Sequence, residues 1–139
     1  MFDGCLYFNG TALARLLERE WSQAFAQFEL SPPQGFALRL VIEKPGLLQH
    51  ELADALTVSR PTATRLLDGL EKKGLIRRCS AEDDRRQCVI QPTAAAVKIG
   101  PALSAASALV TKRLKHELGP EHFAETVSKI RSVCSSLKP

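Results

Sequence analysis

The sequence predicts a mainly α-helical fold carrying one small β-hairpin, and three observations point there. Apolar residues recur at helical spacing through most of the 139 residues. Residues 75–91 switch to two short β-type runs around a charged tip. Serine, threonine, proline and glycine fall where helices should begin and end. The composition, 45% hydrophobic and 24% charged, is that of a globular domain with a core. No internal repeat or low-complexity segment is visible.

The first helix is expected over about Asn9–Glu29, where Leu13, Leu16, Leu17, Trp21, Ala24, Phe25 and Phe28 share a stripe. Ser31-Pro32-Pro33 breaks it, with Ser31 capping a second helix over about Pro33–Glu43 that stops before Lys44-Pro45-Gly46. A short helix over Gln49–Leu56 follows. Ser59 then caps the next helix, which has Pro61 in its first turn, an apolar stripe of Ala63, Leu66, Leu67 and Leu70, and Gly74 after its end at about Lys73. The strands are expected over 75–79 and 87–91. Thr93 caps a long helix over about Ala94–Glu117, and Pro101 inside it predicts an early kink or a late start. Gly119-Pro120 separates a last helix, Glu121–Leu137, whose seam of Phe123, Val127, Ile130, Cys134 and Leu137 suits a partner helix.

Charge distribution favours a polyanionic partner. The net charge is +4, and Arg60, Arg65, Lys72, Lys73, Arg77, Arg78, Arg85 and Arg86 crowd into residues 60–86. Two short helices joined by a tight turn supply a supporting helix and a second helix that can enter the major groove. With the apolar stripe of the second turned inward, Ser59, Arg60, Pro61, Thr62, Thr64 and Arg65 lie near its outer face. Arginine can bond guanine O6 and N7 in bidentate fashion, and threonine hydroxyls can reach phosphates or base edges. The hairpin tip, with Asp84, Arg85 and Arg86, makes a wing whose guanidinium can enter the narrow minor groove, Asp84 holding an arginine or the loop in place. The expected architecture is therefore a winged helix-turn-helix, and the expected partner is double-stranded DNA.

Other chemistries lack their residues. There is no Gly-x-Ser-x-Gly, no phosphate-cradling glycine loop and no His-x-x-x-His, so the chain is not expected to be an enzyme. Cys5, Cys79, Cys88 and Cys134 form no Cys-x-x-Cys pair and the histidines do not sit at zinc spacing, so neither metal nor cofactor is expected. No apolar run approaches the ~18 residues of a membrane-spanning helix, and Met1–Cys5 does not open a signal peptide. A cytoplasmic location without a membrane partner is expected.

Leu52-Ala53, the run from Val58 through Ile76 and Asp84-Arg85-Arg86 together closely resemble the MarR family of bacterial regulators, most strongly over residues 48–93. The resemblance implies a homodimer. Residues 33–92 would form each winged helix-turn-helix, and the helices within 1–32 and 93–139 would intertwine as the dimerisation region. It also implies transcriptional regulation, as a repressor on a pseudo-palindromic operator, with release by a small-molecule effector or an oxidant. By motif position, Ser59, Arg60, Pro61, Thr62, Thr64 and Arg65 inherit the major-groove contacts, Arg86 the minor-groove contact and Asp84 the wing-stabilising role. Pro92-Thr93 stands where the family often has Leu-Thr.

Two sensing routes follow. Cys5, just ahead of the first helix, is the candidate redox residue, since some peroxide-sensing relatives keep a reactive cysteine there. Those relatives use two tyrosines to bond the thiolate, whereas this chain has only Tyr7. Cys134 is expected as a small buried hydrophobe, with a Cys5–Cys134 bridge between subunits or a strained Cys79–Cys88 bridge as oxidised alternatives. The second route is a pocket between the dimer helices and the reading head, with Trp21, Phe25, Phe28 and Phe36 as candidate lining.

Overall fold

The computed structural model describes residues 1–80 and 88–139. The helices are α1 (Leu6–Phe25, continued by a 3-10 turn at Ala26–Phe28), α2 (Pro32–Glu43), α3 (Gln49–Leu56), α4 (Arg60–Lys72), α5 (Ala94–Leu118) and α6 (Pro120–Leu137). The strands are β1 (Leu47–Leu48), β2 (Ile76–Ser80) and β3 (Cys88–Pro92). They form an antiparallel sheet of order β1-β3-β2.

Local chemistry sets most helix ends. Ser31 accepts from the Gln34 N–H while the Gln34 side chain accepts from the Ser31 N–H, satisfying donors that α2 leaves open. Ser59 accepts from the Thr62 N–H to open α4, and Thr93 from the Ala96 N–H to open α5. Gly74, at φ +73°, closes α4 in the left-handed conformation, and the Leu75 N–H reaches back to the Leu70 carbonyl at 3.0 Å. α1 starts three residues before the expected Asn9, because the Cys5 sulfur accepts from the Phe8 N–H. α5 starts at Ala94 and continues through Pro101. Proline withholds a donor from the Val97 carbonyl there, and both residues are exposed, so water can serve it.

One apolar core holds α2, α3, α4 and the sheet together. Leu38, Leu52, Leu67, Leu70, Ile76 and Ile90 are fully buried in it. Phe25 from α1, Leu30, and Ala96 and Leu103 from α5 join the same core, which thus crosses both 32/33 and 92/93. Gly35 lets α2 approach the Phe25 ring, where a Cβ would collide with the ring carbons. α5 is the one described helix long and apolar enough to cross a membrane by length and composition, with mean hydropathy 1.4 in its most apolar window. Lys98, Ser104, Ser107 and Thr111 interrupt its apolar residues, and Ala96, Leu103, Ala106 and Val110 are buried within the fold. The Trp21 indole N–H donates to the Ser107 hydroxyl at 3.0 Å and ties α1 to α5.

The terminal helices are unlike this. No residue of α6 is buried, and in α1 Phe25 alone is. Leu6, Tyr7, Phe8, Leu13 and Leu16 on α1, and Val127, Ile130, Val133 and Leu137 on α6, all lie open. Cys134, expected to be buried on that seam, is exposed because no described residue covers the seam there.

β1 was absent from the sequence expectation. Its two residues pair Leu47 with Ile90 and Leu48 with Val89, a ladder too short to show alternation. Pro92 ends β3 opposite Ile76, beyond the reach of β1, where its missing N–H costs no ladder bond on that side.

Candidate nucleic-acid interface

The turn between α3 and α4 is tight because Thr57 takes φ +56° and ψ +49°, its N–H bonding the Asp54 carbonyl and the Val58 N–H bonding the Ala53 carbonyl. Such a backbone is uncommon for a β-branched residue. It brings Ser59 directly to the start of α4, whose Ala63, Leu67 and Leu70 are buried. Burial of that stripe turns the opposite face of the first two turns to solvent.

On that face Ser59, Arg60, Pro61 and Arg65 are exposed, and Thr62 and Thr64 are half-buried. Ser59 also donates to the Thr62 hydroxyl at 3.0 Å, and Arg65 Nη2 donates to the same oxygen at 3.4 Å. The Thr62 hydroxyl is thus held between Ser59 and Arg65, and the Arg65 guanidinium is steered along the helix. Neither Arg60 nor Arg65 has a carboxylate partner among the described residues. Two exposed cations on the first turns of a helix, with no carboxylate partner among the described residues and with the backbone dipole also favouring anions, form a surface suited to phosphate and base edges.

Thr64 is placed differently. Its hydroxyl accepts from Gln49 Nε2 at 2.8 Å and donates to the Arg60 carbonyl at 3.1 Å, so it clamps α3 to α4. Arg78, counted by sequence among the cations of a phosphate-facing surface, is already paired. Its guanidinium bonds Asp68 at 2.6 Å and Glu71 at 3.2 Å. The hydrogen bond from Arg78 holds the Glu71 carboxyl below the usual carboxylate range, and the same bond raises Arg78. Lys73 donates to the Glu29 carbonyl at the left-handed end of the 3-10 turn. Of the basic run that is described, Arg60, Arg65, Lys72, Lys73 and Arg77 remain exposed without a carboxylate partner among the described residues, Lys73 with its ammonium on a backbone carbonyl. The wing residues singled out by sequence, Asp84, Arg85 and Arg86, lie outside the described residues.

A cavity of about 520 Å³ opens between α1 and the head, lined by Leu17, Trp21, Pro33, Phe36, Leu56 and Leu66 among others. Two of the four aromatic residues expected there line it, Trp21 and Phe36. Phe25 is instead fully buried in the core and Phe28 packs against that core. Cys5 and Cys79 are free and exposed. The sheet register sets Cys79 opposite Val89 and Cys88 opposite Ser80, so the two cysteines are not cross-strand partners. Among the described residues no cluster of histidine, cysteine or carboxylate side chains could hold a metal ion.

Known proteins share parts of this sequence and its fold. The model of the MarR family matches residues 30–88. The chain is 35% identical over 102 residues to the HTH-type transcriptional regulator YfiV of Bacillus subtilis, a match covering 73% of this chain and 61% of YfiV. It is 31% identical over 91 residues to the HTH-type transcriptional regulator YybA of the same organism, covering 66% of this chain and 61% of YybA. The matched segment thus spans about three-fifths of these relatives. Among solved structures, the S. aureus MepR–DNA complex superposes with a TM-score of 0.84 at 25% identity, over 95% of this chain and 98% of that one.

Proposed function

We propose that this chain, matched by the MarR family model over residues 30–88, is a member of that family and a transcriptional regulator that binds double-stranded DNA in a sequence-specific manner. The observation that carries this reading is the exposed Arg60–Arg65 face on the first turns of α4, set outward by the buried stripe behind it. That face enters the major groove. Ser59, Arg60, Pro61, Thr62 and Arg65 supply contacts there, and Thr64 acts by holding α3 against α4. Asp84, Arg85 and Arg86 form the wing, with Arg86 in the minor groove. The likeness to a protein captured on DNA supports the same docking.

The active species is a homodimer. The exposed apolar faces of α1 and α6 would be covered by a second copy, each well-buried aliphatic side chain contributing on the order of 1.5–3 kcal/mol. Residues 1–32 and 93–139 supply the dimerisation helices and 33–92 the reading head. Two heads on one two-fold axis match a pseudo-palindromic operator, where occupancy represses transcription. Release follows from a small-molecule effector seated in the cavity beside Trp21 and Phe36, which touches both α1 and the head and can change the angle between them. That route is favoured over oxidation of Cys5, whose sulfur bonds the Phe8 N–H while Tyr7 stays 79% exposed.

Fluorescence anisotropy with a labelled duplex drawn from DNA flanking the gene tests the reading. Affinity should fall steeply between 50 and 200 mM salt, with a log–log slope set by roughly 0.9 per phosphate neutralised. Salt-independent binding, or none, would remove DNA as the partner.

A further inference from the structure

Arg78 sits on β2 and is anchored to the C-terminal half of α4. Its Nη2 bonds Asp68 Oδ1 at 2.6 Å and its Nε bonds Glu71 Oε2 at 3.2 Å. Its own backbone N–H donates to the same Glu71 oxygen at 3.1 Å. One residue thus offers main chain and side chain to carboxylates spaced i, i+3 on a single helix face. Its side chain is only 20% exposed, whereas those of Asp68 and Glu71 are 58% and 42% exposed.

We infer that Arg78 is a positioning residue for DNA recognition: it touches no DNA, but fixes β2 on α4 so that helix and wing meet the duplex in one register. The inference rests on the DNA-binding reading above. Partly exposed ion pairs add little to stability, but a forked guanidinium held by two carboxylates fixes geometry, which lysine cannot reproduce. The cluster also works against simple attraction. Asp68 and Glu71 place two carboxylates on the helix that approaches phosphates, against one guanidinium. Electrostatics alone says that removing either acid should tighten DNA binding. Positioning says that it should weaken it.

The test uses full-length wild type, Glu71→Gln, Asp68→Asn, Arg78→Lys and Arg78→Met, with the flanking-DNA duplex over a series of salt concentrations. Circular dichroism and thermal unfolding check that each variant is folded. Glu71→Gln and Arg78→Lys should each weaken binding about tenfold, which is about 1.4 kcal/mol, and leave the salt slope unchanged. A phosphate-contacting arginine would behave otherwise, its loss lowering the slope by about 1. The inference is overturned if Glu71→Gln binds as tightly as wild type or tighter, or if Arg78→Met lowers the slope by that amount. Should Arg78→Met fail to fold, the Glu71→Gln and Arg78→Lys results decide alone. If wild type itself shows no salt-dependent binding, the DNA reading falls and this inference with it; if only the variants miss their predicted behaviour, the DNA reading stands.

Discussion

The reading head and the terminal helices are built on opposite terms. In the head, Leu52, Leu67, Leu70 and Ile90 meet one another at zero exposure, and the capping side chains close on their own backbone. In α6, Val127, Ile130 and Val133 are each about two-fifths exposed and Leu137 is nearly three-quarters exposed. The head can therefore hold its shape within one chain. The terminal helices carry an apolar surface that one chain cannot bury, which is what an interface element looks like before it meets its partner. On the proposed reading, contact with DNA and the spacing of two copies would fall to parts stabilised by different means.

The largest expected effect separates these two kinds of burial. Leu67→Ala removes a core side chain and should cost about 2–5 kcal/mol in urea unfolding, whatever the protein concentration. Ile130→Ala should leave the head's unfolding unchanged at micromolar protein and shift the dimer–monomer equilibrium measured by sedimentation. Equal losses from both, independent of concentration, would show that α6 belongs to the intrachain core.

Next in size is the DNA face. Arg65→Ala should weaken binding of the flanking-DNA duplex by about 1–3 kcal/mol if it removes a bidentate guanine contact. Unfolding should be unaffected, because the side chain is exposed. A variant with wild-type affinity would move the contact elsewhere on α4.

A smaller effect concerns the turn that aims α4. Thr57 is exposed and left-handed. Thr57→Gly relieves the steric cost of that conformation and adds chain entropy to the unfolded state, for a net gain of up to about 1 kcal/mol. A loss of stability in thermal unfolding would mean that the threonine side chain contributes more than its backbone costs.

The smallest effect is a pH dependence. Glu71 titrates below its ordinary value in the folded chain because Arg78 bonds it, so the unfolded state binds its proton first as pH falls. Its contribution is present above the unfolded value and disappears as pH drops through the folded one. Glu71→Gln should flatten that part of the acid limb of the stability curve. An unchanged limb would mean that the pair adds nothing to folding, as exposed pairs often do.

Most of the head was legible because its signals are local. Ser31, Ser59, Thr93 and Gly74 act on residues three to five positions away, within reach of a sequence pattern. What sequence missed depends on contacts across the fold. Arg78 is neutralised by residues seven and ten positions back, and Thr64 is claimed by Gln49 fifteen positions back. Composition counts such side chains as free. β1 has two residues and no period to detect. The early start of α1 rests on a cysteine cap, which is not among the usual capping residues. Cys134 followed the apolar seam correctly, but a seam shows which face is apolar and not which chain covers it.

The division of labour itself is tested most directly by hydroxyl-radical footprinting on the DNA flanking the gene, with wild type and the double variant Val127→Arg/Ile130→Arg. Wild type should protect two patches about one helical turn apart, 10–10.5 base pairs centre to centre. The double variant, folded but unable to pair its α6 seam, should lose the paired pattern. No protection by wild type, or a paired pattern that survives in the variant, would contradict the assignment of reading to α4 and spacing to the terminal helices.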